Sequence, residues 1–246
     1  MRCYPAVLLL VGILCGGEEK TGKTAWLKFA PPLGRRFTLT TTLKTVSGPK
    51  ETPQEMTVTL VFKAKVASRR KGVKVELVLS DARVVKGEGG HKERYVATDK
   101  EKKDRKGWFR VRERRLVEAD LKKFVGMVIG GKQNIGFLPT WMLDAMGPWG
   151  ILPDKKATVG DVWNGFIKFA ADSDMVVKAT LKKVEAEAAT VTFKGEKQDA
   201  KKGMKVVADG ELVFNTKKKN ISSYRLQLAI TTATGTLRSE LIWQVE

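Results

Sequence analysis

Ile151-Leu152-Pro153-Asp154-Lys155-Lys156-Ala157-Thr158-Val159-Gly160-Asp161-Val162-Trp163 divides the chain. Pro153 and Gly160 punctuate it, and Val162 and Trp163 open the next apolar run. The segments on either side are strand-like and resemble each other. The stretch reads as the joint between two related antiparallel β-rich halves, residues 18–150 and 151–246, with one or two short helices between them. In that reading Pro153 and Gly160 shape the crossover, Asp161 caps or turns it, and Trp163 anchors the second half in the core.

Upstream of the joint the period is two. Phe37, Leu39, Thr41 and Leu43 alternate with Thr38, Thr40, Thr42 and Lys44, the mark of a half-buried strand. Met56, Val58, Leu60, Phe62, Ala64 and Val66 form a longer apolar face. Ser68 to Gly72 reads as a hairpin turn, and Val73, Val75, Leu77 and Leu79 return from it. Arg94–Thr98 and Trp108–Arg112 are expected to pair across a charged loop. From Val117 the spacing changes. Leu121, Phe124, Val125 and Val128 suggest a short helix with Asp120 as N-cap, and Pro139–Met146 suggests a second. Downstream, Trp163–Ala170 and Glu211–Asn215 are strand candidates. Tyr224 to Ile230 and Leu237 to Val245 form a C-terminal hairpin about Ala233-Thr234-Gly235.

The halves share a pattern at a fixed offset. Lys65-Val66 with Val73-Lys74-Val75 matches Lys183-Val184 with Val191-Thr192-Phe193, each a strand–turn–strand unit, which suggests an internal duplication. The joint resembles something more specific. Leu152-Pro153-Asp154-Lys155-Lys156 followed by Val159-Gly160-Asp161-Val162-Trp163 is similar to the central "lP…vGd.W" signature of a family of exported bacterial β-rich proteins of unknown function. The Thr-rich Phe37–Thr42 segment is similar to the first strand of that family. The resemblance implies export by signal peptide or lipid anchor and a repeated β-rich body. It implies no enzymatic activity and transfers no functional residues.

The N-terminus agrees with export. Arg2, the apolar Ala6–Leu14 and the small residues Cys15 and Gly17 have the layout of a signal peptide over residues 1–17, and the run is too short to span a bilayer. Lipidation of Cys15 is the alternative. The only cysteines are Cys3 and Cys15, so cleavage after Gly17 removes both. A second reading competes there. Gly17-Glu18-Glu19-Lys20-Thr21-Gly22-Lys23-Thr24 matches the phosphate-binding GxxxxGK[ST] loop. Pro31 and Pro32 would stop the helix that such a loop must start, and the strand–helix alternation of nucleotide-binding domains is missing.

The chain carries 46 Lys and Arg against 27 Asp and Glu, a formal net charge of +19. Such a charge favours anionic partners. The most basic run surrounds the charged loop: Lys102, Lys103, Arg105, Lys106, Trp108, Arg110 and Arg112 form a candidate anion-binding patch with an aromatic interleaved. The alternative is a solvated hairpin whose cations discourage edge pairing. Catalytic and metal chemistry find little support. His91 is the one histidine, and the pairs Asp172/Asp174 and Asp154/Asp161 match no calcium loop. No cofactor is expected. The chain reads as an exported, non-enzymatic β protein of the periplasm or cell envelope, binding a lipid or other apolar ligand between curved sheets. The alternative is a basic surface protein on anionic lipid or polymer. Peripheral membrane association fits either, and nucleic acid is not an expected partner.

Overall fold

The structure, a computed structural model, describes residues 22–48, 53–88, 91–124, 127–129, 133–135, 148–170, 173–199 and 203–246. Its elements are β1 (Thr24–Ala25), β2 (Arg36–Ser47), β3 (Gln54–Ser68), β4 (Val73–Glu88), β5 (His91–Val96), α1 (Asp99–Lys102), β6 (Lys106–Arg112), β7 (Arg115–Asp120), β8 (Met127–Ile129), β9 (Gln133–Ile135), β10 (Ala157–Thr158), β11 (Val162–Ala170), β12 (Ser173–Glu185), β13 (Ala188–Asp199), β14 (Met204–Asn215), β15 (Asn220–Thr232) and β16 (Gly235–Val245). The protein is mainly β, as the alternation requires.

Twelve strands make one antiparallel sheet in the order β11-β12-β13-β14-β15-β16-β2-β3-β4-β6-β7, with β5 beside β6 on the edge of β4. Both halves therefore belong to a single sheet. They meet where β16 pairs with β2, Val245 opposite Leu39 and Leu241 opposite Leu43. Thr38 and Glu246 extend the ladder with a backbone bond in each direction.

The inner face follows from sequence period. Leu39 and Leu43, then Val58 to Val66 at every second residue, then Val73 to Leu79, are buried, while their neighbours face water. In β4 the alternation slips by one residue at Ser80, a β-bulge opposite Val61 and Phe62, so Ala82 and Val84 continue the buried row. The second half repeats the arrangement with Val177, Leu181, Val191, Phe193, Leu212, Phe214, Tyr224 and Leu226. Gly210 is required here. A Cβ on it would collide with the Phe193 ring, which packs against Tyr224 at 5.8 Å. Burial raises the Tyr224 hydroxyl far above its ordinary value.

The hairpins that share the repeated pattern, β3–β4 and β12–β13, turn at the same end of the sheet, and both place Val75 and Phe193, their matched residues, in the core. Residues 22–35 cross that end as a strap. β1 pairs with β10, the Ala30 N–H donates to Lys219 O, and the Gly34 N–H donates to Val66 O.

Two expectations change. β5 and β6 do not pair with each other; both pair with β4. The helix expected from Leu121 is a 3-10 turn, Lys122–Phe124, followed after an interval by β8. Its apolar spacing still buries Leu121, Phe124 and Ile129. Pro139–Met146 lies outside the described residues. Among the described residues the one α-helix is α1, in the charged loop, closed by a capping box between Thr98 and Glu101. Lys23 and Thr24, which would close the phosphate loop, lie in the strap, with Thr24 in β1 rather than at a helix start.

Candidate functional site

The sheet curls until its two edges, β7 and β11, reach the same 3-10 turn, Pro148–Ile151. All four residues of that turn are buried. Gly150 lies so close to β11 that a Cβ would collide with the Phe166 carbonyl and ring. The Trp149 ring projects into the core, edge-on to Trp243 at 5.3 Å and Phe29 at 5.7 Å, and tilted against Phe109 at 5.1 Å. It thus ties together β16, the strap and β6. The interior is packed around this cluster. The apolar void bounded by Leu39, Phe62, Leu77, Phe109, Phe124 and Trp243 is about 20 Å³, room for roughly one water molecule. A ligand held there between curved sheets would need that cluster to move.

A larger hollow lies outside the cluster at the strap end. Alternation in the strap buries Ala25 and Leu27 and turns Trp26 and Lys28 outward. Trp26 is 58% exposed. Together with Leu152, Pro153, Arg114 and Asp154, the strap lines a groove of about 390 Å³, within the usual range for small-molecule sites. One wall is apolar. The other carries Arg114, at the β6–β7 turn.

That turn is unusual. Glu113 and Arg114 both have positive φ, 48° and 67°, in a two-residue connection where Asn-Gly is the common choice. The geometry costs backbone energy and sets the guanidinium against the 3-10 turn. Arg114 Nη2 donates to the Gly150 carbonyl at 3.0 Å, and its Cζ lies 5.9 Å from the Phe166 ring. Burial holds the Arg114 pKa below its ordinary value, Asp154 opposes that shift and Arg115 adds to it. Arg114 Nε and Trp149 Nε1 are buried with no hydrogen-bond partner among the described residues. Two residues of one groove thus carry N–H donors without acceptors, a costly arrangement.

A second hollow, about 590 Å³, lies on the other side of Trp26 and is lined by Lys28, Arg69, Val184 and Lys219. At the opposite end of the sheet, Thr45, Gln54, Met56, Lys86, Glu88 and His91 line a polar hollow of about 460 Å³. His91 sits 4.0 Å from Glu93 there. Among the described residues, no group of three His, Cys, Asp or Glu could hold a metal ion. No helix among them is long and apolar enough to cross a membrane.

The basic run of the charged loop is distributed differently. Lys102 pairs with Asp99 at 2.9 Å. Arg105 donates to the carbonyls of Glu101 and Lys123. Arg110 pairs with Glu118 at 2.6 Å, and Trp108 lies under Lys74 and Arg110. Lys103 and Lys106 are exposed in the charged loop and at the start of β6, and Arg112 is exposed at the far end of that strand. Most of this patch therefore has local partners. The joint residues have structural contacts: Pro153 is buried, Gly160 has φ 90°, and the Asp161 carboxylate accepts from the Thr158 N–H at 2.8 Å. Trp163 is half-buried against the core and donates from Nε1 to the Ile151 carbonyl at 2.8 Å. Cys15 and the expected signal segment lie outside the described residues.

Sequence reasoning missed Trp26, Arg114 and Trp149 as a group. The alternation Ala25, Leu27, Phe29 was the available signal for the strap. Nothing in the linear order brings Arg114 to Gly150.

No family model matches the chain, and no curated protein matches it. Among solved structures, one concerned with lipid–protein interactions in lipovitellin is similar. Its TM-score is 0.57 at 8% identity, covering 89% of this chain and 25% of the lipovitellin chain. The chain thus spans about a quarter of the lipovitellin chain it matches. At that identity the likeness is one of fold.

Proposed function

We propose that the protein is an exported, non-enzymatic binder of an amphiphile with an acidic head, held in the strap-end groove. The observation that carries this reading is the placement of Arg114, with its unpartnered Nε–H, beside an apolar wall of Trp26, Leu152 and Pro153. An acidic oxygen would supply the missing acceptor as a charge-assisted bond. An alkyl chain would cover the apolar wall. The fold shared with lipovitellin, a protein described for its lipid–protein interactions, supports a lipid-like ligand. The signal-like residues 1–17 and the resemblance of the joint to exported β-rich proteins support export. Residues 18–246 then work outside the cytoplasm without catalytic chemistry.

Titration of tryptophan fluorescence with dodecanoate, dodecyl phosphate and the uncharged dodecanol tests the groove. Saturable binding of the two acids, weakened about tenfold in Arg114→Gln, a change worth ~1.4 kcal/mol, is expected. Mass spectrometry should recover each amphiphile unchanged. Equal affinity for dodecanol, or an unaltered Arg114→Gln variant, would remove the head-group assignment.

A further inference from the structure

The strap end is also where the sheet gathers its positive charge. The β3–β4 turn is Arg69-Arg70-Lys71 and the β14–β15 turn is Lys217-Lys218-Lys219; all six residues are exposed. They are 146 or more residues apart in sequence, yet both turns border the strap. Ala30 bonds to Lys219 O, Arg35 Nη1 to Lys218 O, and Gly34 to Val66 O at the end of β3. Lys155 and Lys156 lie exposed on the joint, which β1 pairs with through β10. Glu187 neutralises Lys217 at 2.8 Å, and its hydrogen bond and charge raise the Lys217 pKa despite desolvation. Arg69, Arg70 and Lys71 form no ion pair among the described residues. The opposite end is mixed in charge, with Glu88, Glu93 and Asp199 near its hairpins beside Lys86, Lys92 and Lys205.

Two large apolar side chains stand exposed within the basic surface. Trp26 is 58% exposed and Leu33 is 62% exposed. Both are on the strap, and Trp26 shares a hollow with Arg69 and Lys219. Tryptophan flanked by cations suits the boundary between lipid head groups and acyl chains. Cations near an anionic bilayer each add about 1 kcal/mol of attraction, so a few exposed ones suffice for salt-sensitive adsorption.

We infer that the strap end is a docking surface for an anionic lipid bilayer, with Trp26 and Leu33 entering the interface while Arg69–Lys71 and Lys218 face the head groups. This inference shares Trp26 with the groove but does not use Arg114 or the groove's occupancy. Leu33 and the turn cations lie outside the groove lining, so failure of one reading is distinguishable from failure of the other. A soluble polyanion would need the cations but not the two apolar side chains, and that difference separates the two partners.

Cosedimentation of the protein with vesicles of phosphatidylcholine alone, or with about one-third phosphatidylglycerol, provides the test. Binding to the mixed vesicles that declines from 50 mM to 500 mM salt is expected, with little binding to phosphatidylcholine. The variant Arg69→Glu/Lys71→Glu/Lys218→Glu should lose at least about tenfold in affinity, consistent with the per-cation attraction. Trp26→Ser/Leu33→Ser should lose several-fold on vesicles and nothing on heparin. The charge-matched variant Lys100→Glu/Lys103→Glu/Lys106→Glu, on the charged loop away from the strap end, should stay within about threefold of the parent. All three variants change exposed side chains, and matching melting curves establish that each is folded. Equal losses in the strap-end and charged-loop variants would overturn the docking assignment. So would full vesicle binding without Trp26 and Leu33, which would indicate a polyanion surface.

Discussion

The sheet has two places where its halves meet, and they are closed by different physics. At β16–β2 the meeting is a backbone ladder from Arg238 opposite Val46 to Val245 opposite Leu39. On its outer face Glu240 lies between Arg225 and Lys44, at 2.6 and 3.3 Å. At β7–β11 no ladder forms between the two edges among the described residues. There the Pro148–Ile151 turn fills the space, Arg114 bonds to Gly150, and the Arg115 guanidinium lies 5.1 Å from the Phe166 ring. A ladder satisfies every backbone group along its length. A side-chain closure leaves a groove and unpartnered donors. The candidate site lies beside the second junction, and that is where the closure leaves polar groups to be satisfied.

The largest effect is expected from Trp149→Ala. It removes the ring that joins Phe29, Phe109 and Trp243, and should cost ~3–5 kcal/mol, as for other buried aromatics, in urea unfolding at neutral pH. A loss below ~1 kcal/mol, the level of a surface change, would mean that the β7–β11 junction holds without the turn. Trp163→Ala should cost less, ~2–3 kcal/mol, because the ring is half-buried and loses one hydrogen bond, to Ile151, along with partial packing. If the two substitutions cost the same, the joint rather than the 3-10 turn is the anchor.

The smallest effect is expected at the laddered junction. Burial acts to raise the Glu240 pKa, but the hydrogen bonds and charges of Arg225 and Lys44 outweigh it and hold the carboxyl below its ordinary 4.5. A depressed folded pKa contributes stability above the unfolded value and loses it as pH falls through the folded one. Glu240→Gln should therefore destabilise by ~0.2–1 kcal/mol at pH 7. The difference should close below pH 4.5. A deficit that persists at pH 3 would assign the loss to packing instead of charge.

Much of this fold is legible in the chain because a strand buried on one face writes its period into the sequence. Val58, Leu60, Phe62, Ala64 and Val66, like Tyr224, Leu226 and Leu228, recur at every second position, and the structure buries each of them. Partner choice is less visible. β5 and β6 alternate well enough to pair, yet each finds β4, whose sixteen residues offer a longer edge than either offers the other. Leu121 and Phe124 have helical spacing, but a single 3-10 turn satisfies the same burial. The site was the least legible part. The contiguous cations from Lys102 to Arg112 invited attention, and local acids and carbonyls occupy several of them. The exposed basic surface is assembled instead from turns distant in sequence, and only the sheet order brings them to one end.

The β16–β2 ladder also sets a timetable. Until Gly235–Val245 emerges from the ribosome, or from a translocation pore, the β2 edge that will receive it has unpaired N–H and C=O groups. The first half can form its local hairpins early, yet it must wait for the most remote pairing in the chain before the sheet is continuous. Such non-local closure favours slow, post-synthetic folding and leaves a transient open edge through which two nascent molecules can zip together. A holdase that covers β2 would shorten that hazard without touching the finished protein.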